Sequence, residues 1–128
     1  MDSKKILIIE DDTSLLKVLR ERLGQEGFTV ETESNGLDGL VAALEKKPDM
    51  ILLDVMIPEL DGLRLLKKLR DTAHGQTVKV LLLTALSDTN TMDELIKLGA
   101  NDYMVKGNWT LQDIVANVKS HLVQQAND

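Results

Sequence analysis

Ile6-Leu7-Ile8-Ile9-Glu10-Asp11-Asp12 is a short apolar run that stops on three acids. So short a run, cut off by charge, has the length of a buried strand and falls well short of a helix. The same construction returns along the chain: Met50-Ile51-Leu52-Leu53 stops on Asp54, Val80-Leu81-Leu82-Leu83 on Thr84, and Tyr103-Met104-Val105 on Lys106. The runs before Glu10, Asp54 and Thr84 are dense enough in apolar residues to belong to strands covered on both faces, as in parallel sheets. Between them, apolar residues recur at helical spacing: Leu15, Leu16, Leu19 and Leu23; Leu37, Leu40, Val41 and Leu44; Leu65, Leu66 and Leu69; Leu111, Ile114, Val115, Val118 and Leu122.

Strands are therefore expected at Lys5 to Glu10, Phe28 to Thr32, Met50 to Asp54, Val78 to Thr84 and Asp102 to Lys106. Strand and helix alternate without repeats or low-complexity tracts, the pattern of an α/β protein built from βαβ units. Right-handed crossovers that cover both faces of one sheet require a point where the winding reverses. The expected fold is flavodoxin-like and doubly wound, a five-stranded parallel (βα)5 sheet in the order 2-1-3-4-5. Its crevice lies between strands 1 and 3, where Glu10, Asp11 and Asp54 stand.

The 128 residues, 43% apolar and 28% charged, are those of an ordinary globular chain, with enough length for one sizeable core. The whole of 1–128 is expected to be one domain, ordered over about residues 4–123 and carrying no effector domain. Acids outnumber bases 21 to 15, a net charge of −6, which leaves no positive field for direct nucleic acid binding. Cysteine is absent, so disulfides and thiolate metal sites are excluded. The start of the chain is too polar, and its first apolar run too short, for a signal segment or a membrane span. A cytoplasmic location is the default expectation.

Carboxylates crowded into a crevice repel one another and call for a cation. Acids without histidine or cysteine suit a hard, oxygen-loving ion, magnesium first and manganese as an alternative. Asp12 precedes a helix and is expected to cap it instead. Asp54 beside a metal can attack a phosphoryl group to form an acyl phosphate, while Lys106 and the Thr84 hydroxyl engage the phosphoryl oxygens. Taken singly, Lys106 reads as a solvated strand end and Thr84 as a β-branched strand residue; the neighbouring acids give both a role.

With these residues in view, the chain resembles a receiver domain of a bacterial two-component response regulator. The resemblance rests on Ile6 to Asp12 (ILIIEDD), Asp54 to Gly62 (DVMIPELDG), Leu83 to Ala85 (LTA) and Gly99 to Lys106 (GANDYMVK), in the family's order and spacing. It implies that Asp54 is phosphorylated and that Glu10 and Asp11 are the acidic pair. Magnesium contacts would come from Asp11, Asp54 and the Met56 backbone carbonyl, with Glu10 alongside. It further implies that Thr84 and Lys106 hold the phosphoryl oxygens and that Tyr103 swings inward when Thr84 moves, reshaping the surface from helix 4 to helix 5. The phosphoryl group would come from a sensor histidine kinase, a phosphotransfer protein or a small acyl phosphate, and the output would pass to a downstream protein or a missing effector domain. Such a domain is no enzyme beyond its own phosphorylation and dephosphorylation, binds no membrane, and is expected to be monomeric when unphosphorylated. The alternative is a degenerate receiver that acts as a phosphorylation-independent interaction module, which a metal titration would expose by weak magnesium binding.

One residue departs from the pattern: Gly107 follows Lys106 where the family usually has a proline in a cis peptide. Altered switching is the expected consequence, and unchanged uptake and response in Gly107→Pro would count against it. Met56 and Leu86, two positions beyond Asp54 and Thr84, are apolar and cannot orient an attacking water, so the phosphoryl group is expected to persist. His74 and His121 are expected to be solvated surface residues without a role.

Overall fold

A computed structural model describes residues 3–85 and 89–126. The strands are β1 (Lys5–Ile9), β2 (Thr29–Glu33), β3 (Met50–Leu53), β4 (Lys79–Thr84) and β5 (Asp102–Val105). The helices are α1 (Thr13–Gln25), α2 (Gly36–Lys46), α3 (Gly62–Arg70), α4 (Thr89–Lys97) and α5 (Leu111–Ala126), with a single 3-10 turn at His74–Gln76. All strand pairs are parallel and the order is β2-β1-β3-β4-β5.

Successive side chains on a strand point to opposite faces, and this alternation divides the core in two. Leu7, Ile9, Ile51, Leu53, Val80 and Leu82 pack with α2, α3 and α4 through Ala42, Ala43, Leu65, Leu66, Leu69, Met92 and Leu95. Ile6, Ile8, Met50, Leu52, Leu81 and Leu83 pack with α1 and α5 through Leu19, Leu23, Ile114, Val115, Val118 and Leu122. Residues 6–9 of β1, all of β3 and residues 80–83 of β4 are thus apolar at every position because each residue faces one helical layer or the other. Edge strand β2, Thr-Val-Glu-Thr-Glu, is only half-buried.

Two strand starts lie one residue later than expected, and in each case a helix end has taken the missing residue's backbone. The Phe28 N–H donates to the Leu23 carbonyl at 3.2 Å, closing the end of α1 over Gly27 at φ +97°. The Val78 carbonyl accepts from Arg70 at 2.7 Å. Arg70, at the end of α3, also donates to the carbonyls of Gly75 and Gly99, each at 2.6 Å. One guanidinium therefore ties α3 to the start of β4 and the end of α4.

The strand ends are aligned by register. Ile9 pairs with Leu53, and Thr84 with Val105, so Glu10 and Asp54 leave the sheet side by side, with Lys106 two strands over. The Asp54 N–H continues the ladder to the Ile9 carbonyl at 3.0 Å, and the Lys106 N–H to the Thr84 carbonyl at 2.6 Å. These bonds fix both backbones at the point where their side chains turn into the crevice.

Candidate functional site

Asp12 caps α1, its Oδ1 accepting from the N–H groups of Ser14 and Leu15 at 3.1 and 3.2 Å. That leaves Glu10, Asp11 and Asp54, each offering an oxygen within 4.8 Å of the others'. Glu10 and Asp54 are buried, at 1% and 5% exposure, whereas Asp11 faces solvent. Lys106 Nζ lies 2.7 Å from Glu10 Oε1 and 3.1 Å from Asp54 Oδ2. Asp54 Oδ1 accepts the Met56 N–H at 3.0 Å, and Glu10 Oε2 accepts the Asp12 N–H at 3.1 Å.

Burial disfavours charge on Glu10 and Asp54's neighbouring carboxylate adds to it. Against these, Lys106 and the Asp12 N–H pull the other way, and Glu10 still ends pushed up to about 7. Burial would lower Lys106, but its hydrogen bonds and charge pairing with Glu10 and Asp54 outweigh it, so the ammonium is held above its ordinary value. Three carboxylates against one ammonium leave two negative charges when all are ionised, the deficit that one divalent cation fills. The donors are all oxygen, the set a hard cation prefers.

The other expected residues fall as follows. Thr84 is fully buried at the end of β4. Met56 holds the site through its backbone, and its side chain is 60% exposed. Tyr103 lies on β5 with its ring partly exposed. Leu86 is outside the described residues. No cis peptide occurs among the described residues, and Gly107 adopts φ +96°, a left-handed conformation suited to glycine.

The two histidines correct the sequence reading. His121 is half-buried, with Nε2 3.6 Å from Asp102 Oδ2, an oxygen that also accepts from Asn117 at 3.0 Å. His74 sits on the 3-10 turn with Nε2 enclosed and without a hydrogen-bond partner. Their positions at helix ends suggested solvent, but His121 reaches Asp102 of β5 and the His74 ring nitrogen is enclosed.

A cleft of about 590 Å3 also opens beside the acids, lined by Asp11, Met56, Ile57, Pro58, Asp61 and Leu63. Sequence gave no sign of it because the loop's path depends on close backbone approaches. The Gly36 N–H donates to the Pro58 carbonyl at 3.0 Å, and a Cβ there would overlap the Leu60 carbonyl. The Gly62 N–H returns to the Val55 carbonyl at 2.9 Å, closing the loop on itself.

The family model of the response regulator receiver domain matches residues 6–119. Response regulator ArlR of Staphylococcus aureus is 36% identical over 121 residues, 94% of this chain and 53% of that protein. The chain thus spans about half the length of the curated relatives it matches. A CheY-like response regulator receiver domain protein from Methanospirillum hungatei JF-1 superposes with a TM-score of 0.89 at 26% identity, covering 98% of each chain. The receiver domain of a sensor histidine kinase from Pseudomonas aeruginosa PAO1, solved with a magnesium ion coordinated in its active site cleft, has a TM-score of 0.83. It is 24% identical and covers 93% of this chain and 97% of that one, a likeness of fold.

Proposed function

This chain belongs to the response regulator receiver domain family of two-component systems, and we propose that it is a phosphoryl-accepting switch whose acceptor is Asp54. Receiver domains are signalling domains rather than classical enzymes, and they work with histidine kinases and effectors. The observation that carries the assignment is the setting of the Asp54 carboxylate: buried, 3.1 Å from Lys106 Nζ and clustered with Glu10 and Asp11. No described helix is long and apolar enough to cross a membrane.

In the proposed reaction an Asp54 oxygen attacks phosphorus in a phosphohistidine or a small acyl phosphate. The Asp54 O–P bond forms as the donor's P–N or P–O bond breaks, and the donor leaves with the bonding electron pair. Lys106 moves from pairing carboxylates to pairing phosphoryl oxygens, and the Thr84 hydroxyl donates to another. Asp11, Asp54 and the Met56 carbonyl would hold magnesium, with Glu10 beside them. The ion supplies charge neutralisation at the acids and at the phosphoryl oxygens. The convergent oxygens and the raised Glu10 support that fit.

The added negative charge draws Thr84 toward the phosphoryl group, and Tyr103, whose ring lies partly outside, follows inward. The surface from α4 through β5 to α5 then presents a different shape to its reader. Residues 1–128 serve as one receiver unit, monomeric at rest, and the reader is a separate effector protein or domain. Borohydride reduction after incubation with acetyl phosphate and magnesium tests the assignment. It should convert the acyl phosphate to homoserine at position 54 alone, and reduction at Asp11 or another acid would overturn it.

A further inference from the structure

Between the end of β5 and the first turn of α5 the path of the chain is tightly constrained. The Lys106 N–H is held by the Thr84 carbonyl at 2.6 Å, and after only Gly107 and Asn108 the chain reaches Trp109, which packs against the core layer that holds α1 and α5. The Thr110 N–H then donates to Asp113 Oδ2 at 2.8 Å at the start of α5. The change of direction falls in one tight turn, where the Asn108 N–H donates to the Val105 carbonyl at 3.1 Å. Lys106 and Gly107 are its two central residues. Gly107 has φ +96° while φ is not positive at Lys106, the pattern of a type II turn, whose third residue is glycine or asparagine for steric reasons.

The ordinary role of such a glycine is to let the chain turn, and many exposed loop glycines do no more. Two observations give Gly107 a further one. Its conformation sets the peptide on the carboxyl side of Lys106, whose Nζ reaches Glu10 at 2.7 Å and Asp54 at 3.1 Å. With the amide side already held by Thr84, the lysine's backbone is pinned on both sides and its side chain leaves the sheet in one direction. A Cβ at Gly107 would also meet nothing within 4 Å. Lack of space therefore does not call for glycine here; the backbone conformation does.

We propose that Gly107 is a positioning residue for phosphoryl transfer, its left-handed backbone completing the turn that aims Lys106 Nζ between Glu10 and Asp54. Gly107 touches no reacting atom and acts through Lys106. The kinetic consequence rests on the reading of Asp54 as the phosphoryl acceptor, whereas the geometric one does not. A β-branched residue at this position would leave the left-handed conformation for other turns, so the aimed lysine would become the minor population, roughly one molecule in ten.

The test measures phosphoryl uptake from acetyl phosphate at saturating magnesium on wild type, Gly107→Asn, Gly107→Val, Lys106→Met and the double variant Gly107→Val with Lys106→Met. Gly107→Asn, whose side chain tolerates this conformation, should stay within about twofold of wild type, and Gly107→Val should slow uptake about five- to tenfold. The double variant should be no slower than Lys106→Met alone, because a lysine that is absent cannot be misaimed. The same cycle is read by urea unfolding at pH 8 without magnesium, where the double variant should be no less stable than Lys106→Met. That second reading needs no phosphoryl group, so a wild type that takes up none would fail the acceptor assignment while the unfolding cycle still decides the positioning. Losses that multiply in the double variant in either reading would make Gly107 a structural loop residue and overturn the proposal. So would Gly107→Val matching wild type, or Gly107→Asn falling as far as Gly107→Val.

Discussion

Neutralising Glu10 should stabilise the metal-free protein above neutral pH, although it removes the charge from the shortest contact that Lys106 makes in the crevice. Burial holds the folded Glu10 at about 7 against an ordinary 4.5, a shift that already includes the attraction of Lys106. Between those values the folded state keeps a proton that the unfolded chain releases, so stability falls as pH rises through the window. At 1.36 kcal/mol per unit, the full cost above pH 7 is about 3 kcal/mol. Below pH 4.5 both states are protonated and the cost vanishes. Lys106 does not confuse the window, because its pKa is raised above 10.5 and its contribution is lost only at still higher pH. Glu10→Gln, a neutral isostere, should match wild type near pH 4.5 and exceed it at pH 8 by up to about 3 kcal/mol, roughly 10 °C in Tm for a chain of this size. Thermal unfolding of both proteins across pH 4.5 to 8, without magnesium, measures the difference directly. A variant less stable than wild type at pH 8, or a difference independent of pH, would refute the claim that desolvation dominates at Glu10.

Other consequences are as specific. Lys106→Met leaves two buried carboxylates without their cation and should cost about 3 kcal/mol at pH 8 by denaturant unfolding. It should also slow phosphoryl uptake at least about tenfold in a labelled-phosphate assay, since one ammonium is lost from the phosphoryl oxygens. Arg70→Ala strands the carbonyls of Gly75, Val78 and Gly99 and should cost about 2–4 kcal/mol. Hydrogen exchange should then speed up most at the start of β4 and the end of α4. The Met56 side chain is exposed beside the acids, and Met56→Asn should shorten the phosphoryl lifetime by giving an attacking water a hydrogen-bond partner, as decay of the phosphorylated form would show. An unchanged lifetime would mean that this side chain does not govern water access.

Much of this architecture can be read in the chain because short-range rules and the required chemistry agree. The runs ending at Glu10, Asp54 and Thr84 are apolar on successive residues, which demanded cover on both faces, and parallel pairing then brought their ends to one edge with that of the Lys106 run. Asp12 and the Thr110–Asp113 pair behave as helix-start chemistry dictates, the latter exchanging bonds of 2.8 and 3.2 Å. What was hidden depends on contacts between residues distant in sequence. The side chain of Arg70 reaches Gly99, 29 residues away, and nothing local marks it as a clamp rather than a solvated helix end. His121 meets Asp102 only because α5 lies along β5, and the loop after Asp54 takes its path from Gly36 on a different helix. Periodicity reports which face is apolar and says nothing about such polar closures.

The central claim is that Asp54 accepts a phosphoryl group with the help of a divalent cation held by its acidic neighbours. Intact mass after incubation with acetyl phosphate, with and without magnesium, on wild type and Asp54→Ala, tests it most directly. A single phosphoryl adduct that requires magnesium and is missing from the variant is expected. An adduct that survives the substitution, or no adduct under any condition, would contradict the account, and the second result would leave the chain as a phosphorylation-independent interaction module.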